Sequence, residues 1–223
     1  MRSGYFVVSV LAVVSLGNVS CATLSTGHIS NEATPEAYAK DAMTKGVVIL
    51  DVNWGRKWQC GDFENAEIMS IGFDRLPIEA ASSETPSVVL LDGPARLTKR
   101  SVFRDYAMLL EPGEYALTSF HIKVARSESD VGHLVANKSH LIEDGKPKGG
   151  TFSVKAGESV YIGNFFLDCY RQPIIWRYYT PGGDGFKKHM SEVRDKYPFV
   201  DPTKVQYRLF KTMEFGESYE LPK

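Results

Sequence analysis

The stretch Tyr106–Ala125, "YAMLLEPGEYALTSFHIKVA", decides the fold. Two strand-like apolar runs flank Glu111-Pro112-Gly113-Glu114, where proline presets φ and glycine supplies the positive φ of a tight turn. The pattern predicts an antiparallel hairpin. Residues Gly150–Cys169, "GTFSVKAGESVYIGNFFLDC", repeat the arrangement around Ala156-Gly157-Glu158. Here Phe152 and Val154, then Val160 and Ile162, alternate with polar or small neighbours, as a half-buried strand requires.

Working outward, "VVILDV" (Val47–Val52), "AEIMSIGF" (Ala66–Phe73) and "SVVLLDG" (Ser87–Gly93) are short apolar runs bounded by Gly, Pro, Asn and Asp. "IIWRYY" (Ile174–Tyr179) and "KVQYRLFKTM" (Lys204–Met213) predict two further strands. Helix punctuation occurs twice. Thr34 caps "PEAYAKDAMTKG", with Pro35 in the first turn and Gly46 as the stop. Asp184 caps a second helix, in which Phe186, Met190, Val193 and Tyr197 share a face and Pro198 marks the end. That face predicts packing against a sheet. Many short strands without βαβ alternation imply a mainly β protein, an antiparallel β-sandwich with one or two peripheral helices near 35–45 and 184–197.

The phrases "LEPGEYAL" and "FSVKAGESVYIG" resemble the hairpins of transthyretin-like, carboxypeptidase-regulatory-like sandwich domains. They also resemble DUF2846-type bacterial lipoprotein domains, in which a PG-x-Y turn precedes a second glycine turn followed by tyrosine. The resemblance runs from about Leu109 to Gly163, and it implies a binding or accessory role in place of catalysis.

The amino-terminal segment bears on compartment. Arg2 precedes an apolar run from Tyr5 to Leu16. This run has the size of a signal-peptide core and falls short of the about 20 residues that span a bilayer as a helix. Two cleavage readings stay open. Ser20 and Ala22 suit an ordinary cut after Ala22, whereas "NVSC" (Asn18–Cys21) resembles a bacterial lipobox, which implies a lipidated Cys21 as first mature residue. Residues 1–20 are thus expected to be a signal peptide, 21–33 a polar tether and 34–223 a single β-sandwich domain. The three cysteines are Cys21, Cys60 and Cys169. Loss or lipidation of the first leaves an even pair, so in an exported chain a Cys60–Cys169 disulfide is expected. Two unrelated buried thiols are the alternative.

Charge is balanced, with 26 Lys and Arg against 27 Asp and Glu, and no basic stripe supports nucleic-acid binding. The five histidines, His28, His121, His133, His140 and His189, match no zinc spacing. His133 and His140 meet only if the intervening residues fold back, and no third ligand accompanies them, so no metal and no cofactor is expected. There is no G-x-S-x-G elbow and no P-loop lysine, and catalytic residues are not assigned. Binding clues are aromatic: Trp54 and Trp58 beside Arg56, and Tyr170, Arg171, Trp176 and Arg177 near the second cysteine. A Cys60–Cys169 bridge brings these groups together. They then either form an interface surface, for which Trp, Tyr and Arg are suited, or fill the core around the bridge. The leading expectation is a membrane-anchored lipoprotein of the bacterial outer membrane, facing the periplasm and binding an envelope protein or a cell-wall glycan. The rival is a soluble periplasmic or secreted hydrolase acting on envelope material.

Overall fold

The computed structural model of the protein describes residues 31–78, 86, 88–93, 103–170, 172–178 and 182–211, with only the backbone at 176–178 and 182. The expectations for the signal over 1–20, for Cys21 and for the tether up to residue 30 lie outside the described residues. In chain order the elements are α1 (Pro35–Asp41), β1 (Gly46–Asn53), β2 (Lys57–Cys60), β3 (Phe63–Arg75), β4 (Val89–Asp92), β5 (Phe103–Leu110), β6 (Gly113–Ala125), β7 (Val131–Ala136) and α2 (Lys138–Leu141). They continue with β8 (Ile142–Glu143), β9 (Lys146–Pro147), β10 (Thr151–Val154), β11 (Ser159–Asp168), β12 (Ile174–Tyr178), α3 (Gly182–Lys196), a 3-10 turn at Pro202–Lys204 and β13 (Val205–Tyr207).

Two sheets face each other. One runs β12-β11-β1-β5, with β13 sharing the outer edge of β11. The other runs β10-β6-β3-β2, with β4 beside β3 and β7 beside β6. Between them lies a core of Val48, Leu50, Val52, Met108, Leu110, Phe73, Phe120, Ile122, Val160, Ile162 and Phe165. A second apolar layer, with Val47, Ile49, Ala107, Leu109 and Tyr161, lies on the opposite face of the first sheet. Met190 and Val193 of α3, with Tyr197 directly after it, cover it. The architecture is therefore a β-sandwich, with α1 and α3 outside the first sheet and the short α2 against the second. The predicted stripe of α3 packs against the first sheet, as its spacing required.

This double coverage explains the unbroken "VVILDV" run. A strand buried on both faces has no solvent side to alternate with. In the other sheet β6 alternates: Phe120 and Ile122 are buried while Ser119, His121 and Lys123 are partly exposed. On its outer face α2 brings Lys138 Nζ to 3.2 Å from Asp74 Oδ2, which also accepts a 2.7 Å hydrogen bond from Thr118 Oγ1.

Several expectations are corrected. Neither predicted hairpin is one: β5 pairs with β1 whereas β6 pairs with β3, β7 and β10, so Glu111-Pro112 carries the chain from one sheet to the other. The turn between β10 and β11 makes the same crossing, since β10 pairs with β6 and β11 with β1. Local turn chemistry specifies reversal of direction and leaves the pairing partner open. Gly157 has the expected positive φ of 71°. Gly113 does not need one; it starts β6 where an added Cβ would stand 2.6 Å from Arg75 Nε. The first sheet is mixed, because β1 and β13 both run parallel to β11. Thr34 does cap α1, accepting from Ala37 N at 3.1 Å, but the helix ends at Asp41. Asp184 lies inside the first turn of α3. Residues 31–33, expected in the tether, already lie along the free edge of β5, with Ala33 N bonded to Ala107 O and Leu109 N to Asn31 O.

Cys60 and Cys169 form the expected disulfide, closing a sequence separation of 109 residues. It joins the end of β2 in one sheet to the residue following β11 in the other, so it clamps the sandwich at one end. In the chain-entropy picture a loop of this length contributes up to about 4 to 5 kcal/mol. Replacing both cysteines by serine should lower the unfolding free energy by up to that amount in a urea titration. A double variant as stable as the parent would show that the bridge does not stabilise the sandwich.

Candidate functional site

The aromatic residues around the disulfide separate into two environments. Trp54 belongs to the core: it is fully buried, and its indole N–H donates to Tyr106 Oη at 2.6 Å. It therefore takes no part in a surface, because β1 delivers it between the sheets. Trp58, on the outward side of β2, is 49% exposed, with the Arg56 guanidinium 5.7 Å from its ring centroid. Tyr170, directly after Cys169, is 86% exposed, and its backbone N–H is held by Asp168 Oδ1 at 3.0 Å. Arg126 lies over Phe63 at 4.7 Å, and Phe63 pairs with Cys60 across the β2–β3 turn. Arg171 and the side chains of Trp176 and Arg177 lie outside the described residues. Exposed Trp58 thus stands two residues before one cysteine of the bridge, and exposed Tyr170 directly after the other.

The histidines are placed differently from the spacing argument. His133 does not meet His140. Its Nδ1 lies 2.7 Å from His121 Nε2, because β7 pairs with β6 and sets the two rings diagonally across the ladder. His140 sits in α2, where its ring faces the Asn137 N–H at 3.4 Å. At most one proton can occupy the line between two imidazole nitrogens, so the His121–His133 contact requires one ring to accept.

A third constellation was not singled out by the sequence reading. Asn164 on β11, Asp51 on β1 and Asp105 on β5 stand side by side in register across three strands. Their neighbours Phe165, Val52 and Tyr106 point into the inter-sheet core, so the polar row lies on the face under α3. A bulge makes this register possible. Between Ile49 and Asp51 the pairing with β11 slips by one residue, and Gly163 takes up the slip with φ 117°, a conformation that disfavours side chains. From above, α3 lowers His189 Nε2 to 3.0 Å from Asp51 Oδ2, which also accepts from Tyr161 Oη at 2.9 Å. Tyr161, Phe186 and Tyr207 wall this side with rings.

The electrostatics follow from burial. Desolvation, reinforced by the neighbouring Asp51 carboxylate, raises the Asp105 carboxyl to about 6, against the pull of His189 and Lys196. Burial works against a charged His189, yet Asp51, Asp105 and Glu192 together hold its pKa above the ordinary value. Burial lowers the pKa of Lys196, whose ammonium donates to the Asp105 main-chain carbonyl. The signal in the sequence was Asp51 itself, a lone acid inside "VVILDV". The row across strands needed the pairing, and the pairing needed the fold.

No family model, no curated protein and no solved structure matches this chain.

The exposed histidine pair gives a pH test. Desolvation first, then the charge of His133, push His121 below its ordinary value of 6.5. The folded chain therefore binds this proton less readily than the unfolded chain. Its contribution is full above about pH 6.5 and is lost on acidification through the lowered value. His133→Gln removes the second cause and should shrink the loss of stability between about pH 7 and 5, read as urea midpoints. An unchanged pH slope would show that the two rings do not interact.

Proposed function

We propose that the protein is an exported lipoprotein of the bacterial envelope, anchored by a lipidated Cys21 at the periplasmic face of the outer membrane and acting as a binding or assembly module. The observation that supports it most is the Cys60–Cys169 disulfide clamping the two sheets. Such bonds persist in oxidising compartments and are rare in the cytosol. The signal-like run and the "NVSC" tetrapeptide point the same way. About ten residues separate Cys21 from the first residues laid against β5, a short lead that would hold the sandwich close to the membrane.

The surface that suits a partner is the disulfide end. Trp58, Tyr170, Arg56 and Arg126 combine flat apolar area with cationic donors, the chemistry enriched in protein interfaces. Clamping by the bridge keeps Trp58 and Tyr170 in fixed relation, which reduces the ordering cost of association. We assign the partner to the envelope proteins.

Intact mass of protein extracted from membranes should show an acylated chain beginning at Cys21. An unmodified chain beginning near Thr23, recovered from the soluble periplasm, would favour the rival soluble reading. Trp58→Ala combined with Tyr170→Ala should weaken capture of an envelope protein about tenfold or more, with the melting temperature unchanged because both rings are exposed. Capture of peptidoglycan alone would shift the partner to a glycan.

A further inference from the structure

The row beneath α3 leaves a chemical account open. Among the described residues, two buried side-chain oxygens of this row lack a donor, Asp51 Oδ1 and Asn164 Oδ1, and His189 Nε2 faces only the carboxylate oxygen Asp51 Oδ2, at 3.0 Å. Asp51 is the most demanding of them, since its side chain is 4% exposed. A buried carboxylate oxygen with nothing to accept from carries its full desolvation penalty, and a buried amide oxygen adds to it.

Two kinds of occupant answer a cluster of acceptors. A proton shared between Asp51 and Asp105 would supply one donor to the carboxylate pair and leave Asn164 Oδ1 without one. A cation answers both oxygens at once and takes the Nε2 lone pair of a neutral His189 as well. One ligand atom from each of Asp51, Asp105 and His189 lies within 4.8 Å of the others. A first-row cation bound tetrahedrally at about 2.0–2.2 Å holds its ligand atoms about 3.3–3.6 Å apart, so closure from 4.8 Å asks for a movement of about 1 to 1.5 Å. The neighbouring ammonium of Lys196 is engaged by the Asp105 carbonyl.

We propose that Asp51, Asp105 and His189, with Asn164 as fourth donor, form a binding site for one divalent first-row cation. One imidazole nitrogen with three oxygens suits Zn²⁺ or Mn²⁺, being too poor in sulfur for Cu(I) and bearing a nitrogen that Mg²⁺ and Ca²⁺ do not seek. Tyr161 Oη, already bonded to Asp51 Oδ2, fixes which carboxylate oxygen turns to the ion, as outer partners of metal ligands do. Asp105 is partly exposed and gives the ion its way in. The site ties two strands of the sheet and their neighbour β11 to α3, and it is independent of the aromatic end.

Calorimetry on the mature chain, stripped with EDTA and then freed of it, tests this with ZnCl₂ and MnCl₂ in turn. One ion should bind per chain, and at a hundredfold excess over Kd the melting temperature should rise by about 5 to 10 °C. His189→Gln and Asn164→Ala should each weaken binding about tenfold or more. Asp105→Asn, at a half-exposed position, serves where either of these fails to fold. His121→Ala should change nothing at this site. Absence of heat with both ions would overturn the assignment. So would titrations unchanged in the folded variants, or binding lost only in His121→Ala, which would place the ion on the exposed histidine pair.

Discussion

Strand β1 is buried on both faces, and the rest of the structure is arranged around that constraint. Its even-numbered residues Val48, Leu50 and Val52 fill the space between the sheets, while Val47 and Ile49 face the layer under α3. A strand so placed needs neighbours on both edges and cover on both sides. It finds β11 and β5 as neighbours, the second sheet below and α3 above. Such burial can hold a charge only if that charge is partnered. The single acid of the strand, Asp51, is met by the Tyr161 hydroxyl and by His189 of α3, beside the apolar stripe that docks the helix.

The same constraint explains how the chain moves between layers. The turns at Glu111–Glu114 and Ala156–Glu158 are legible because proline and glycine announce reversal at short range. They read as hairpins because the commonest tight reversal joins neighbouring strands. In this fold each reversal instead carries the chain across the sandwich. The residues beside the turn do not distinguish the two outcomes: Tyr106–Leu110 and Tyr115–Thr118 are both buried without alternation, and β6 alternates only from Ser119 onward.

Residues legible from sequence were those whose chemistry acts locally. The cap at Thr34, the apolar stripe of α3 and the pairing of two leftover cysteines each follow from neighbours in the chain or from parity. Of the aromatic clusters, composition could not say which ring is core: Trp54 and Trp58 lie four positions apart and have opposite fates, because the strand ending at Asn53 delivers the first between the sheets and β2 turns the second outward. The polar row was illegible for a deeper reason. Asp51, Asp105, Asn164 and His189 come from four separate elements, and only pairing, a bulge at Gly163 and the docking of α3 bring them to one place.

The composition of that row also bears on what kind of protein this is. Catalytic zinc sites commonly keep three protein ligands and leave a position for water, whereas structural sites close the shell with four. With Asn164 aligned beside Asp51, the row offers four donors, and α3 together with the rings of Tyr161, Phe186 and Tyr207 covers it. A closed, covered site holds a helix onto a sheet; it does not present an ion to a substrate. The two cross-links would then divide the labour of rigidity, the disulfide clamping sheet to sheet at one end and the ion clamping helix to sheet on the outer face. A sandwich fixed in both directions would present its exposed aromatic end as a pre-ordered surface, which lowers the ordering cost of association.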